Sequence, residues 1–339
     1  MLAKQSFLKN DMQYRKLGKT GFNISEVSLG TWQVGGRWGE PFNDKTAEEI
    51  INTALDAGVN FIDTADVYSD GQSEAAVARV VKSRSEEVYI ATKCGRQIQP
   101  HNAQGYTPDR LVGYVEESLQ NMKLETLDLI QLHCPPTEIY QRPEIFEAFD
   151  RLREQGKIRN LGVSVELVDE AMMAMQYPNV TTVQIIFNMF RLKPSEAFFA
   201  KARENEVGII ARVPLASGLL SGKMTEETSF GPQDHRSFNR NGEAFDKGET
   251  FSGVDFNLGL EAVEALKKLF PGQESLAAWA IRWVLMFPEV STVIPGASRT
   301  QQVVSNVKAA ELSPLSPGQM QGVQQVYDQF IRPSVHGLW

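Results

Sequence analysis

Short apolar, β-branched runs alternate with longer amphipathic stretches along most of the chain. Eight runs read as strands: VSLGTW (27–32), NFIDTA (60–65), VYIATK (88–93), LDLIQLH (127–133), IRNLGVS (158–164), VTTVQIIF (180–187), VGIIARV (207–213) and VSTVIPG (290–296). Between them, residues 44–58, 107–123, 140–157, 166–176, 195–205, 274–286 and 299–310 carry apolar positions at helical spacing. The first of these opens on Asp44 as a cap and ends on Gly58, and the second has Thr107 as cap with Pro108 behind it.

A helix after nearly every one of eight strands is the count of a (β/α)8 TIM barrel. An open, doubly wound sheet gives the same alternation. The first strand–helix junction, GTWQVGGRWGE, lacks a GxGxxG fingerprint, and the alternation shows no break, so the barrel is favoured. Before the first strand, QYRKLGKTGFNIS reads as a β-hairpin turning at Gly18–Gly21, a candidate plug for the barrel bottom. Residues 216–256 form the largest irregular stretch, and long loops in compact domains are more often functional than idle. The tail reads as a C-terminal helix followed by an extended end. The organisation expected is one barrel domain over 13–339 behind an N-terminal extension, 1–12.

Composition narrows the function classes. The chain has 339 residues, 42% hydrophobic and 22% charged, which suits a soluble globular protein. A formal net charge of −8 argues against a nucleic-acid or anionic-membrane partner. Cys94 and Cys134 make neither a disulfide framework nor a zinc site, so no metal is expected. The start, MLAKQSFLKNDMQ, lacks an apolar run of signal-peptide length. AAWAIRWVLMF is interrupted by Arg282 and too short to span a bilayer. Cytoplasmic residence is the expectation.

In such barrels the chemistry sits at the C-terminal strand ends. Three adjacent strands end on Asp63, Lys93 and His133, and Tyr68 follows in the loop over the first of them. A Tyr hydroxyl titrates near 10, a Lys ammonium beside it lowers that value, and an Asp holds the Lys charged. An imidazole can bond a substrate oxygen. The set suits proton donation to a carbonyl oxygen. Each residue alone could be a turn, a solvated strand end or a loop histidine; their equivalent positions on consecutive strands favour chemistry. Lys223 and Arg299 lie where barrels bind phosphate, after the seventh and eighth strands. Trp32, Trp38, His101 and the 216–256 loop are candidates for the substrate pocket.

GVNFIDTADVYSDGQSE (58–74) resembles the DTAxxYGxGxSE signature of the aldo-keto reductases. VYIATK, LDLIQLH, LGVS (161–164), TVQIIFN (182–188), PLASGLLSGK (214–223) and IPGASRTQQVVSNV (294–307) follow in that family's order. The resemblance implies an NADP(H)-dependent oxidoreductase acting on small carbonyl compounds. It makes Tyr68 the general acid, tuned by Lys93 and Asp63, with His133 orienting the carbonyl. It gives Ser164 and Gln184 to the nicotinamide carboxamide, and Pro214, Leu215, Gly218 and Lys223 to the pyrophosphate stretch. Gly296, Ser298 and Arg299 go to the 2′-phosphate, and Gln302 and Asn306 to the adenine. Three positions depart from the pattern: Val165 replaces a common Asn, Ser69 a common Gly, and Arg212 an aromatic ring under the nicotinamide. A guanidinium at 212 can still stack on the ring, and its charge would disfavour the oxidised, cationic form. Two other readings remain open: a cofactor-binding regulatory subunit like the potassium-channel β-subunits, and a Schiff-base aldolase acting through Lys93.

Overall fold

The computed structural model describes residues 12–36, 40–272 and 274–339. A hairpin pairs β1 (Tyr14–Lys16) antiparallel with β2 (Asn23–Ser25). Eight parallel strands follow: β3 (Leu29–Gly30), β4 (Phe61–Asp63), β5 (Tyr89–Cys94), β6 (Leu127–His133), β7 (Ile158–Ser164), β8 (Val180–Ile186), β9 (Gly208–Arg212) and β10 (Val290–Val293). Each pairs with its sequence neighbour. The two edges meet through parallel bridges Val27–Val293 and Gly30–Gly296, which close the sheet into a (β/α)8 barrel.

Strand alternation sorts the side chains. Residues two apart point the same way, and the inward series changes character from one end of a strand to the other. On β4 it runs Phe61, Asp63; on β5 Tyr89, Ala91, Lys93; on β6 Leu129, Gln131, His133; on β9 Ile210, Arg212. Phe61, Tyr89, Ala91, Leu129 and Ile210 form one apolar cluster with Leu17, Phe22 and Ile24 of the hairpin. The hairpin therefore fills the bottom of the barrel, with Phe22 stacked on Tyr89 at 4.1 Å between ring centroids. Its turn comes so close to β9 that a Cβ on Gly18 would stand 2.2 Å from the Gly208 nitrogen, and Gly18 has φ +50°.

Most helices match the apolar spacing. The helix Pro108–Met122 is capped by Thr107, whose side chain accepts from the Arg110 amide. The helix Asp44–Asp56 is capped one residue earlier than the sequence suggests, because Asn43, not Asp44, accepts from the Thr46 amide. The helices Gln72–Lys82 and Phe256–Lys267 were not marked by the periodicity. The 216–256 stretch is not featureless: it holds short turns at Ala216–Ser221, His235–Phe238, Lys247–Glu249 and Phe251–Gly253. The tail is a correction. It stays helical from Pro317 through a π-helical segment (Tyr327–Ile331) to Leu338, rather than running out extended. Packing explains this, since Trp339 is buried and the Arg191 guanidinium lies 3.8 Å from its ring centroid. Of the 1–12 extension only Met12 lies within the described residues, and it is buried.

Candidate active site

The titratable strand ends converge at the top of the barrel. Lys93 Nζ donates to Asp63 Oδ2 at 2.6 Å, to the Thr64 carbonyl at 2.8 Å and to Tyr68 Oη at 3.3 Å. Lys93 is only 1% exposed and Asp63 2%. Charges this deep persist only when paired and hydrogen-bonded. The other Asp63 oxygen supplies that requirement: Oδ1 accepts from Gln184 Nε2 at 2.7 Å and Gln131 Nε2 at 3.2 Å. Gln131 escaped the sequence reading because it looks like one polar residue in an apolar strand. Its signal was parity, two residues before His133.

Burial alone would pull the Lys93 ammonium down, but Asp63 and Tyr68 more than offset it and the net direction is up. Lys93 is thus held protonated, with no lone pair for a Schiff base. Burial pushes the Tyr68 hydroxyl up, against the opposing pull of Lys93. Lys93 pulls the Tyr68 hydroxyl down as expected, but burial outweighs that pull, so the net direction is up and Tyr68 carries its proton at neutral pH.

The His133 ring stands edge-on to Tyr68 with centroids 6.1 Å apart. Burial first, then the charges of Lys93, Arg96 and Arg212, hold it well below its usual range, so the ring is neutral. His133 Nδ1 is buried without a hydrogen-bond partner among the described residues. A buried acceptor without a partner is tolerated better than a buried N–H, which favours the proton on Nε2.

Asp63, Tyr68 and His133 open onto a cavity of about 720 Å³. The same cavity is lined by Trp32, Ser164, Gln184, Arg212, Pro214, Leu215, Gly218, Gly296, Ser298, Arg299 and Gln302. Other expected residues stand elsewhere. Lys223 is exposed and outside the cavity wall, and Asn306 is buried with Nδ2 3.4 Å from the Gly296 carbonyl. His101 bonds Tyr106 Oη at 3.0 Å and does not line the cavity. Trp38 lies outside the described residues. Gln184 commits its amide N–H to Asp63, and Ser164 Oγ stands 3.5 Å from its oxygen.

Arg212 does face the cavity, but not as an uncompensated charge. It pairs with Glu249 and donates to the Val165 carbonyl at 2.9 Å. Glu249 comes from the long loop, which also contributes Asp234, His235, Arg236 and Phe245 to the wall. The Trp32 ring lies 5.1 Å from His235, 6.0 Å from Phe245 and 6.2 Å from Tyr68, centroid to centroid. Within the loop Ser217 Oγ donates to the Glu249 carbonyl at 2.6 Å, and Asn188, just after β8, moors the loop to the barrel by donating to Ser252 Oγ at 2.9 Å. These loop residues were out of reach of sequence reading, because their place is set by tertiary contacts. Among the described residues no cluster of His, Cys, Asp and Glu is fit to hold a metal, and no helix is long and apolar enough to cross a membrane.

The Aldo/keto reductase family model matches residues 26–328. The chain is 31% identical over 301 residues to aldo-keto reductase YhdN of Bacillus subtilis (strain 168), covering 86% of this chain and 87% of that one. It is 28% identical over 327 residues to a protein of Arabidopsis thaliana described as a probable voltage-gated potassium channel subunit beta, covering 93% and 96%. Among solved structures, the glycerol dehydrogenase AKR11B4 from Gluconobacter oxydans superposes with a TM-score of 0.75 at 30% identity, covering 96% of both chains. The holo form of aldo-keto reductase AKR11C1 from Bacillus halodurans gives 0.73 at 26% identity, covering 93% of this chain and 96% of that one. With the family model spanning nearly the whole barrel, the chain belongs to the aldo-keto reductase family.

Proposed function

We propose that this protein reduces the carbonyl group of an aldehyde or ketone to an alcohol with NADPH, Tyr68 delivering the proton. The observation that carries the reading is a protonated Tyr68 hydroxyl 3.3 Å from the Lys93 ammonium, with the neutral His133 ring edge-on beside it at the cavity wall. Cofactor fit rests on the same cavity. Its lining extends from Asp63 and Tyr68 to Ser298, Arg299 and Gln302, a suitable span for a long dinucleotide. At the far end the helix Thr300–Lys308 begins on Arg299 without a side-chain cap, so its N-terminus and that guanidinium suit a phosphate.

NADPH, when bound, supplies the hydride. His133 donates from Nε2 to the substrate oxygen and holds it at Tyr68. Tyr68 passes its proton to that oxygen as negative charge builds there. Lys93 then stabilises the phenolate oxygen left behind, and Asp63 keeps Lys93 in place. Gln131 and Gln184 fix Asp63 in turn, so the donor is oriented by a fully bonded chain rather than by a mobile side chain.

The test is a panel of aldehydes, ketones and sugars, with NADPH and NADH oxidation followed by absorbance. Turnover with NADPH supports the reading. Tight NADPH binding without turnover of any carbonyl would favour the regulatory-subunit alternative, whose motivation is the likeness to the Arabidopsis protein. Arg299→Ala is expected to weaken NADPH about tenfold or more while changing NADH little, measured by fluorescence titration. Equal losses for both would remove Arg299 from 2′-phosphate recognition.

A further inference from the structure

Arg96 is a cavity residue that the proposed chemistry does not use. It follows β5 three positions after Lys93, and Gly95 between them has φ +103°. A Cβ on Gly95 would stand 2.9 Å from Tyr106 Cε1, so only glycine lets the chain turn there and carry Arg96 into the mouth. Arg96 lines the cavity with Tyr68 and His133, and its charge is felt at the His133 ring.

Its guanidinium is poorly satisfied. Among the described residues its polar partner is Glu166, at 3.6 Å, too long for a hydrogen bond. Its other neighbour is the Phe245 ring, 5.9 Å from the guanidinium carbon. Two other cavity arginines, Arg212 and Arg236, are firmly bonded. Arg212 is bonded to Glu249 and to Val165, and Arg236 grips Asp234 through Nε at 2.9 Å and Nη2 at 2.6 Å. Glu166 is also a weak counter-charge. Burial, reinforced by Asp246, pushes its carboxyl up to about 8, so much of it is protonated at neutral pH. A fixed positive charge with a planar set of donors thus stands at the cavity wall without a strong partner among the described residues.

We infer that Arg96 is a specificity-determining residue that binds an anionic group of the substrate, a carboxylate or a phosphate, while the carbonyl lies at Tyr68 and His133. This rests on the proposed carbonyl reduction and names its substrate class. An anion can take a planar, two-point contact from the guanidinium and displace the loose pairing with Glu166. The aromatic wall of Trp32 and Phe245 covers the apolar part of such a substrate.

Two matched pairs of probes separate this inference from the reaction beneath it. The first pair is 4-carboxybenzaldehyde against 4-methylbenzaldehyde, turned over with NADPH by wild type, Arg96→Gln and Arg96→Lys. The wild type is expected to prefer the carboxylated aldehyde in kcat/KM, through KM. Arg96→Gln is expected to lower that preference about tenfold or more, and Arg96→Lys to keep part of it. The second pair, benzoate against benzamide, is measured by calorimetry on the whole chain with and without NADP⁺ and needs no turnover. A benzoate preference lost in Arg96→Gln supports the anion site even if no aldehyde is reduced, in which case only the reduction proposal fails. A preference that persists in Arg96→Gln assigns the anion to Arg236 or Arg299 and overturns the inference. Absence of any preference in the wild type overturns it as well.

Discussion

The two ends of the barrel are built on the same strands, two or four residues apart, yet they solve opposite problems. At the bottom, Phe61, Tyr89, Leu129 and Ile210 meet Leu17, Phe22 and Ile24 with no charge among them. At the top, Asp63, Lys93 and Arg212 are just as deeply buried and carry charge. The bottom gains from each apolar surface removed from water, independently of its neighbours. The top is stable only as a set, because Asp63, Lys93 and Arg212 each depend on a named partner. The hairpin fills the lower end, and residues of the long loop wall the cavity at the upper one.

The sharpest test of the division is at the upper end. Tyr68→Phe removes one hydroxyl and little volume. Positioned acid catalysis contributes about 10²–10⁴-fold, so kcat should fall by that much. NADPH binding, followed by fluorescence, should survive. Near-normal turnover would take Tyr68 out of the mechanism.

A paired experiment contrasts the two ends directly. Asp63→Ala strands the buried Lys93 ammonium, and breaking a buried pair this way costs about 3–5 kcal/mol. It should also lower turnover, since Lys93 loses its anchor. Leu17→Ala opens a hole in the plug and should cost about 2–5 kcal/mol in urea unfolding, with kcat nearly unchanged. A large loss of kcat in Leu17→Ala would show that the two ends are coupled.

This division also explains what the sequence disclosed. The barrel was legible because β6 and β7 are short, apolar-rich runs whose limits, 127–133 and 158–164, coincide with the strands. Asp63, Lys93 and His133 were legible because each ends such a run on the inward parity. Gln131 shares that parity, but a single amide in an apolar strand carries no chemical signal until its partner Asp63 is placed beside it. The helix Phe256–Lys267 was hidden at the end of an irregular stretch, where its first turn blends into the loop. His235, Phe245 and Glu249 were illegible for a different reason. Their positions depend on moorings such as Asn188–Ser252, between residues 64 apart in sequence. Local pattern does not encode such contacts.

The upper end should also be the acid-sensitive one. Burial lowers His235 to about 4, against the opposing pull of Asp234. As pH falls below 6.5 the unfolded chain takes up a proton that the folded ring does not, so this contribution to stability is present above 6.5 and lost toward 4. The loss is roughly 2–3 kcal/mol by about pH 4.5, and His133 adds to it with the same sign. His235→Gln should therefore narrow the difference in unfolding free energy between neutral and acid pH. An unchanged difference would place the acid sensitivity in other groups.

The smallest effect concerns the Arg212–Glu249 pair, where loop and barrel meet. Burial opposes the charge on Arg212, but Glu249 more than restores it, and the guanidinium stays ionised. On the proposed cofactor placement, Arg212 faces the nicotinamide end of the cavity. The oxidised ring is cationic and the reduced ring neutral, so an unbalanced Arg212 would repel NADP⁺ selectively. Glu249 supplies the balancing charge. Glu249→Gln keeps an acceptor for the guanidinium but removes that charge. It should weaken NADP⁺ relative to NADPH by about two- to fivefold, an effect kept small by the high effective dielectric near a cavity mouth. The measurement is the ratio of the two dissociation constants in wild type and variant. Loosening of the loop alone would weaken both forms alike and leave the ratio fixed. A fixed ratio would therefore place the pair out of reach of the nicotinamide and leave it as a mooring for the loop.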